Sequence, residues 1–235
     1  MTNQTAYKRI LLKLSGEGLG SVNGALDSEI MTRLAHEIKA AYDKGVQIAL
    51  VLGGGNFWRG AKGASKGVDR ITGDYIGMLA TVMNALAFAD VLEKCGVPAR
   101  VMTSMPIGGI GEVFNQKQAL RYLDQHFVVL FAGGTGNPFF TTDTCAVLRA
   151  IQMHCDACLK STQVDGIYDS DPHKNPNAKR YDVVDYKTAL DNKLGVMDLT
   201  AIAMASDAAL PVVVFNQTDK LADIVCGKGV YSVLK

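Results

Sequence analysis

The 235-residue chain balances 24 Lys and Arg against 23 Asp and Glu, a net charge of +1 with no basic block, which argues against a nucleic-acid substrate. Hydrophobic residues reach 48%, yet no signal-peptide pattern opens the chain, and the longest uncharged apolar stretch, 75–89, falls short of the about 18 residues a membrane span needs. Five cysteines without regular spacing fit a reducing cytoplasm better than a disulfide scaffold, and the length suits one α/β domain or two lobes around one sheet.

The elements alternate along the chain. An apolar strand over 9–14 leads into the turn Ser15-Gly16-Glu17-Gly18. Asp27 or Ser28 can cap a helix whose core face is Ile30, Leu34, Ile38 and Tyr42, and Gly45 ends it. Residues 46–52 form a second buried strand closing on Gly53-Gly54-Gly55. A long apolar helix over roughly 73–94 follows, stopped by Gly96, then a strand over 99–103 and a shorter helix over 115–125. The run 127–132 reads as another buried strand, and 144–151 as a helix that Thr142 or Asp143 can cap. Beyond it lie a strand over 157–161 and a polar loop to about 182, in which 169–178 is a surface loop or hairpin. Helices near 186–192 and 198–208 precede a strand over 212–215. Continuous apolar strands separated by helices imply an α/β fold, a mostly parallel central sheet covered by helices on both faces.

Three Gly-rich turns sit at strand ends: around Ser15-Gly16, around Gly53-Gly54-Gly55, and over Gly133-Gly134-Thr135-Gly136-Asn137-Pro138-Phe139-Phe140-Thr141-Thr142-Asp143. In an open α/β sheet, ligands gather beyond the carboxyl ends of the strands, and bare backbone N–H groups at a helix start suit an anion. If the three strands lie side by side, the turns converge on one cleft able to hold several phosphates. Lys13 and Lys160 interrupt apolar strands near their ends. Each alone can snorkel to solvent, but beside three Gly turns they point to phosphate. Asp143, between two lysines, would keep them charged and oriented, or would simply cap its helix. Phosphoryl transfer needs mostly positioning and charge stabilisation, and an acceptor that is itself a phosphate or carboxylate needs no histidine to take its proton. The Walker pattern and Gly-x-Gly-x-x-Gly are both absent. The lone Cys155/Cys158 pair reads as core thiols rather than a zinc or redox site.

These residues together resemble the bacterial-type uridylate (UMP) kinases of the amino acid kinase superfamily. The likeness runs from Tyr7-Lys8-Arg9 to Val214-Phe215-Asn216. It is carried most specifically by Gly53-Gly54-Gly55-Asn56-Phe57-Trp58-Arg59-Gly60, Asp74-Tyr75-Ile76-Gly77-Met78-Leu79-Ala80-Thr81, the Thr135-to-Asp143 segment, and Thr162-Gln163-Val164-Asp165-Gly166-Ile167-Tyr168 with Asp171-Pro172. The resemblance implies a three-layer αβα sandwich, with an acceptor-binding lobe over about 1–155 and an ATP-binding lobe over about 156–235. It implies transfer of the ATP γ-phosphoryl group to UMP, with Mg²⁺ bound mainly through the ATP phosphates and no protein metal site. By matched position, Lys13, Leu14, Ser15, Gly16, Gly55 and Arg59 would line the donor phosphates, and Thr162, Tyr168 and Asp171 would hold the adenosine. Gly54, Asp74, Thr135, Gly136, Asn137, Pro138, Phe139, Phe140, Thr141 and Thr142 would bind UMP. Lys13, Lys160, Asp143 and Arg59 would be catalytic, and Asp156 and Asp198 structural. A cytoplasmic homohexamer with GTP and UTP as effectors is also implied. The chain departs from the family pattern in its short 18–24 loop and at Ser206-Asp207-Ala208, where a basic residue is often found; both bear on effector behaviour more than on catalysis. Two other readings remain: a non-catalytic nucleotide-binding regulator or storage protein on the same fold, and a superfamily kinase acting on a carboxylate.

Overall fold

The computed structural model describes residues 5–22, 24–58 and 67–235. Strand β1 (Arg9–Leu14) starts where Asp156 accepts hydrogen bonds from the backbone N–H groups of Lys8 and Arg9, the structural role expected of that acid. Asp27, of the two expected candidates, caps α1 (Ser28–Tyr42) through the N–H groups of Glu29 and Ile30. The buried stripe of α1 is Met31, Leu34, Ala35, Ile38 and Ala41, while Ile30 and Tyr42 are only partly covered. A strict four-residue line drifts around a helix of 3.6 residues per turn, so the core takes a mixture of three- and four-residue steps. Gly45, at φ +84°, turns the chain into β2 (Gln47–Leu52).

Helix α2 (Arg70–Lys94) begins three residues earlier than its apolar pattern, because Asp69 caps the N–H groups of Ile71 and Thr72. At 25 residues it is long and apolar enough to cross a bilayer by length and composition, but its Met78, Val82, Ala85, Phe88 and Leu92 are buried in the core. An adjoining face carries Ile71, Tyr75, Leu79, Met83 and Leu86, each 37–49% exposed and three or four residues apart. Strands β3 (Ala99–Thr103), β4 (Glu112–Val113) and β5 (Val128–Ala132) follow, with α3 (Gln116–Asp124) capped by Asn115 between the last two. Then come α4 (Thr142–Gln152), β6 (Ala157–Thr162), and a small hairpin of β7 (Ile167–Tyr168) with β8 (Arg180–Tyr181) inside the polar loop. Strand β9 (Val183–Val184), α5 (Tyr186–Asp191), α6 (Leu199–Asp207), β10 (Val212–Asn216), α7 (Leu221–Ile224) and β11 (Tyr231–Leu234) complete the described chain.

Among the described residues, nine strands form one sheet in the order β4-β3-β5-β2-β1-β6-β10-β11-β9, parallel throughout except for β10 with β11. Alternation along β1 separates two cores. Ile10, Leu12 and Leu14 pack with α1, α2 and α7 on one face, and Leu11 packs with residues of α3, α4, α5 and α6 on the other. The expected helix–sheet–helix layering is therefore present. After β5 the chain crosses back over β2 and β1 to lay β6 on the far side of β1. The strand order reverses at that point, where ligands of open α/β sheets bind.

Candidate active site

Lys13 and Lys160 are register partners on β1 and β6, so both project from the same face of the sheet at its reversal point. Asp143 enters between them from the first turn of α4: Oδ1 lies 3.0 Å from Lys13 Nζ and Oδ2 lies 2.8 Å from Lys160 Nζ. The three side chains are only 12–15% exposed. Burial pushes the Asp143 carboxyl up, but the two ammonium groups outweigh it and hold its pKa below the usual carboxylate value. Burial lowers the pKa of Lys160, opposed by Asp143 and reinforced by Lys13. Lys160 also donates to the Val196 carbonyl. The helix cap expected of Thr142 or Asp143 belongs instead to Thr141, whose hydroxyl accepts from the N–H groups of Asp143 and Thr144. Asp143 is thus released from capping, and one N-cap oxygen is all the turn requires. Asp198 ties that turn to α6, accepting from the Thr141 and Thr144 hydroxyls and capping Ala201 N–H.

The glycine turns do converge, since β5, β2, β1 and β6 are neighbours. A Cβ on Gly16 would stand 2.3 Å from the Gly53 carbonyl oxygen, so the first two turns meet main chain to main chain. Leu14 accepts the Gly53 N–H at 2.9 Å, with its own side chain buried on the opposite face of the sheet from Lys13. Ser15 stands before the short 3-10 turn Gly16–Leu19, and Gly55 faces Glu17 across it. Helix α2 fixes the other two turns through its two buried polar residues. Asn84 donates to the Gly53 carbonyl at 2.6 Å and pairs reciprocally with Asn56, while the Thr81 hydroxyl accepts the Gly133 N–H at 2.8 Å.

Two clefts open near the Lys–Asp–Lys trio, one lined by Thr142, the neighbour of Asp143, and the other by Lys160. One of about 180 Å³ is lined by Gly54, Trp58, Gly73, Asp74, Gly77, Met78, Thr81, Gly134, Phe140, Thr141 and Thr142. It brings together Gly54, Asp74, Phe140, Thr141 and Thr142 of the residues expected to bind the acceptor. Thr135, Gly136, Asn137, Pro138 and Phe139 lie outside that wall: Asn137 N–H bonds to the Thr135 hydroxyl, and Phe139 is 64% exposed. The second cleft, of about 500 Å³, has Lys160, Thr162, Tyr168 and Asp171 in its wall, and also Val164, Ile167, Leu194, Gly195 and Val196. The 193–196 segment reads in sequence only as a link between helices, so its place in that wall was not expected. Trp58, Thr81 and Gly134 belong to quoted motifs but carried no expected role. Arg59 lies outside the described residues. Cys155 and Cys158 are free thiols, and burial pushes Cys158 up to about 12 and Cys155 higher still, away from the thiolate needed for metal or redox chemistry.

Two cations joined through one buried acid, at the meeting of three Gly turns, define a phosphate-handling α/β protein. The amino acid kinase family model matches residues 8–216. The uridylate kinase of Rickettsia bellii is 48% identical over 238 residues, with full coverage of both chains. That of Marinobacter nauticus is 51% identical, covering 96% of this chain and 95% of its own. Among solved structures, UMP kinase from Bacillus anthracis superposes with a TM-score of 0.93 at 38% identity, covering 97% of this chain and 96% of that one. The chain belongs to the amino acid kinase family, within its uridylate kinases.

Proposed function

We infer that the chain transfers the γ-phosphoryl group of ATP to UMP, giving UDP and ADP. The observation that carries this reading is Asp143 held between Lys13 and Lys160, with Lys160 in the wall of the larger cleft and Thr142, next to Asp143, in the wall of the smaller. A UMP phosphate oxygen, already unprotonated near neutral pH, attacks the γ-phosphorus as the bond to the ADP oxygen breaks. Negative charge accumulates on the transferring group, and the two ammonium groups stabilise it without reorganising. Asp143 keeps Lys160 charged against its burial and fixes both amines in place.

ATP takes the larger cleft, with adenosine against Thr162, Tyr168 and Asp171 and phosphates reaching Lys13, Ser15, Gly16 and Gly55. UMP takes the smaller, with its sugar at Asp74, its base near Phe140, Thr141 and Thr142, and its phosphate near Gly54. Arg59 grips phosphate oxygens with its planar fork. Mg²⁺ neutralises charge on the donor phosphates when bound. Asp143 has an oxygen against each lysine, which fits a metal held by phosphate rather than by this acid. The division of the clefts supports an acceptor lobe over about 1–155 and a donor lobe over about 156–235. The exposed apolar stripe of α2 supports self-association, with a homohexamer as the assembly, and the free cysteines are consistent with the cytoplasm. GTP and UTP are the effectors to examine. An ADP-release assay with UMP, CMP, aspartate and glutamate derivatives, with and without GTP and UTP, tests the reading. Tight binding of ATP and UMP without turnover, or turnover of a carboxylate in place of UMP, contradicts it.

A further inference from the structure

Arg70 has no expected role, and its partner Asp74 lines the smaller cleft. Arg70 is the first residue of α2, and its Nε lies 2.7 Å from Asp74 Oδ2, one turn along the same helix. Most such pairs one turn apart are solvated and contribute little. This one differs on the acid's side: Asp74 is 13% exposed and lines the cleft. The same Oδ2 also accepts the Phe139 N–H at 2.7 Å, and the Phe139 ring lies under the Arg70 guanidinium, 5.3 Å from centroid to Cζ. Phe139 has φ +71°, a left-handed conformation that a bulky residue keeps only when its surroundings hold it. Arg70 thus fastens the carboxylate by its edge and the 133–143 loop by its face. Among the described residues no donor reaches Asp74 Oδ1.

We propose that Arg70 is a positioning residue that aims Asp74 at the sugar hydroxyls of the acceptor, and so sets discrimination between ribose and 2′-deoxyribose monophosphates. The proposal rests on the reading of Asp74 as the sugar-binding acid. With Oδ2 committed to two protein donors, Oδ1 is the acceptor presented to a sugar O–H. A carboxylate held by two charge-assisted or backbone bonds has a fixed orientation, and one held by the Phe139 N–H alone can rotate about its last torsion. A site built to bond a hydroxyl rejects the analogue that lacks it, and that rejection fades when the acceptor oxygen is no longer aimed.

The test measures kcat and KM for UMP and for 2′-deoxy-UMP in the wild-type protein, Arg70→Ala, Arg70→Lys, Asp74→Asn, and the Arg70→Ala/Asp74→Asn double variant. Arg70→Ala is expected to raise KM for UMP about tenfold with kcat within about twofold, and to lower the UMP-to-deoxy-UMP ratio of kcat/KM toward that of Asp74→Asn. Arg70→Lys restores part of the ratio by keeping the charge without the planar fork, and guards against a folding defect in the alanine variant. If Arg70 acts through Asp74, the double variant keeps the ratio of Asp74→Asn alone. A wild-type ratio in Arg70→Ala, or a double variant that discriminates less than Asp74→Asn, overturns the proposal. Absence of UMP turnover in the wild-type protein overturns the acceptor reading and this proposal with it.

Discussion

Replacing Asp143 by Asn keeps the shape of the side chain and removes the charge that two buried lysines share. Each ion pair, at 3.0 and 2.8 Å, has a gross attraction of about 5–6 kcal/mol at an effective dielectric of about 20. Most of that offsets the desolvation of three charges, so the gross figure is not the stability at stake. The relevant quantity is the penalty for leaving two buried ammonium groups without their counter-charge, about 3–5 kcal/mol. Against a total stability of about 5–15 kcal/mol, the loss is easily measured. Urea unfolding at pH 7 should show it, and ADP release should show kcat reduced about a hundredfold as the amines lose their fixed positions. The pH dependence has a definite sign. The folded pKa of Asp143 lies below its ordinary value, so its contribution is complete above about pH 4 and is lost as pH falls through the lowered value. The gap between wild type and variant should therefore close in acid. Wild-type stability and a kcat within twofold in the Asn variant would refute this reasoning.

Gly16→Ala forces its new Cβ against main chain, 2.3 Å from the Gly53 carbonyl oxygen, so the two turns must part; activity should fall about a hundredfold in the coupled assay while far-ultraviolet circular dichroism persists. Thr81→Val leaves the Gly133 N–H without its buried acceptor, and should lower unfolding free energy by about 1–3 kcal/mol and raise KM for UMP. Leu79→Glu with Met83→Glu puts two charges in the exposed stripe of α2; sedimentation should show a smaller assembly, with monomer stability little changed.

The parallel sheet was legible because β2, β5 and β10 are largely continuous apolar runs, and β1 and β6 are apolar runs broken only near their ends, as strands covered on both faces must be. Two-residue strands such as β4 and β9 have no period to detect, and β11 follows a short turn-rich segment that hides it. The lysines, the acid and the glycine turns stood out by breaking apolar runs, but strand order, which makes them neighbours, is a long-range property no local window contains. Arg70 was hidden for a different reason. A helix begun at Gly73 excludes it, and only the cap at Asp69 sets it one turn before Asp74. Thr81 and Asn84 read merely as polar interruptions of an apolar helix. Their partners, Gly133 N–H and the Gly53 carbonyl, lie 52 and 31 residues away.

The bare-backbone contact between Gly16 and Gly53 has a practical corollary for redesign. With no side chain at that seam, there is nothing to trim or enlarge, and the spacing of the two turns is dictated by the sheet itself. On the proposed division of the clefts, altered nucleotide preference must therefore be engineered in the walls, at 193–196 for the donor and 140–142 for the acceptor, where side chains can be exchanged without prying two strands apart.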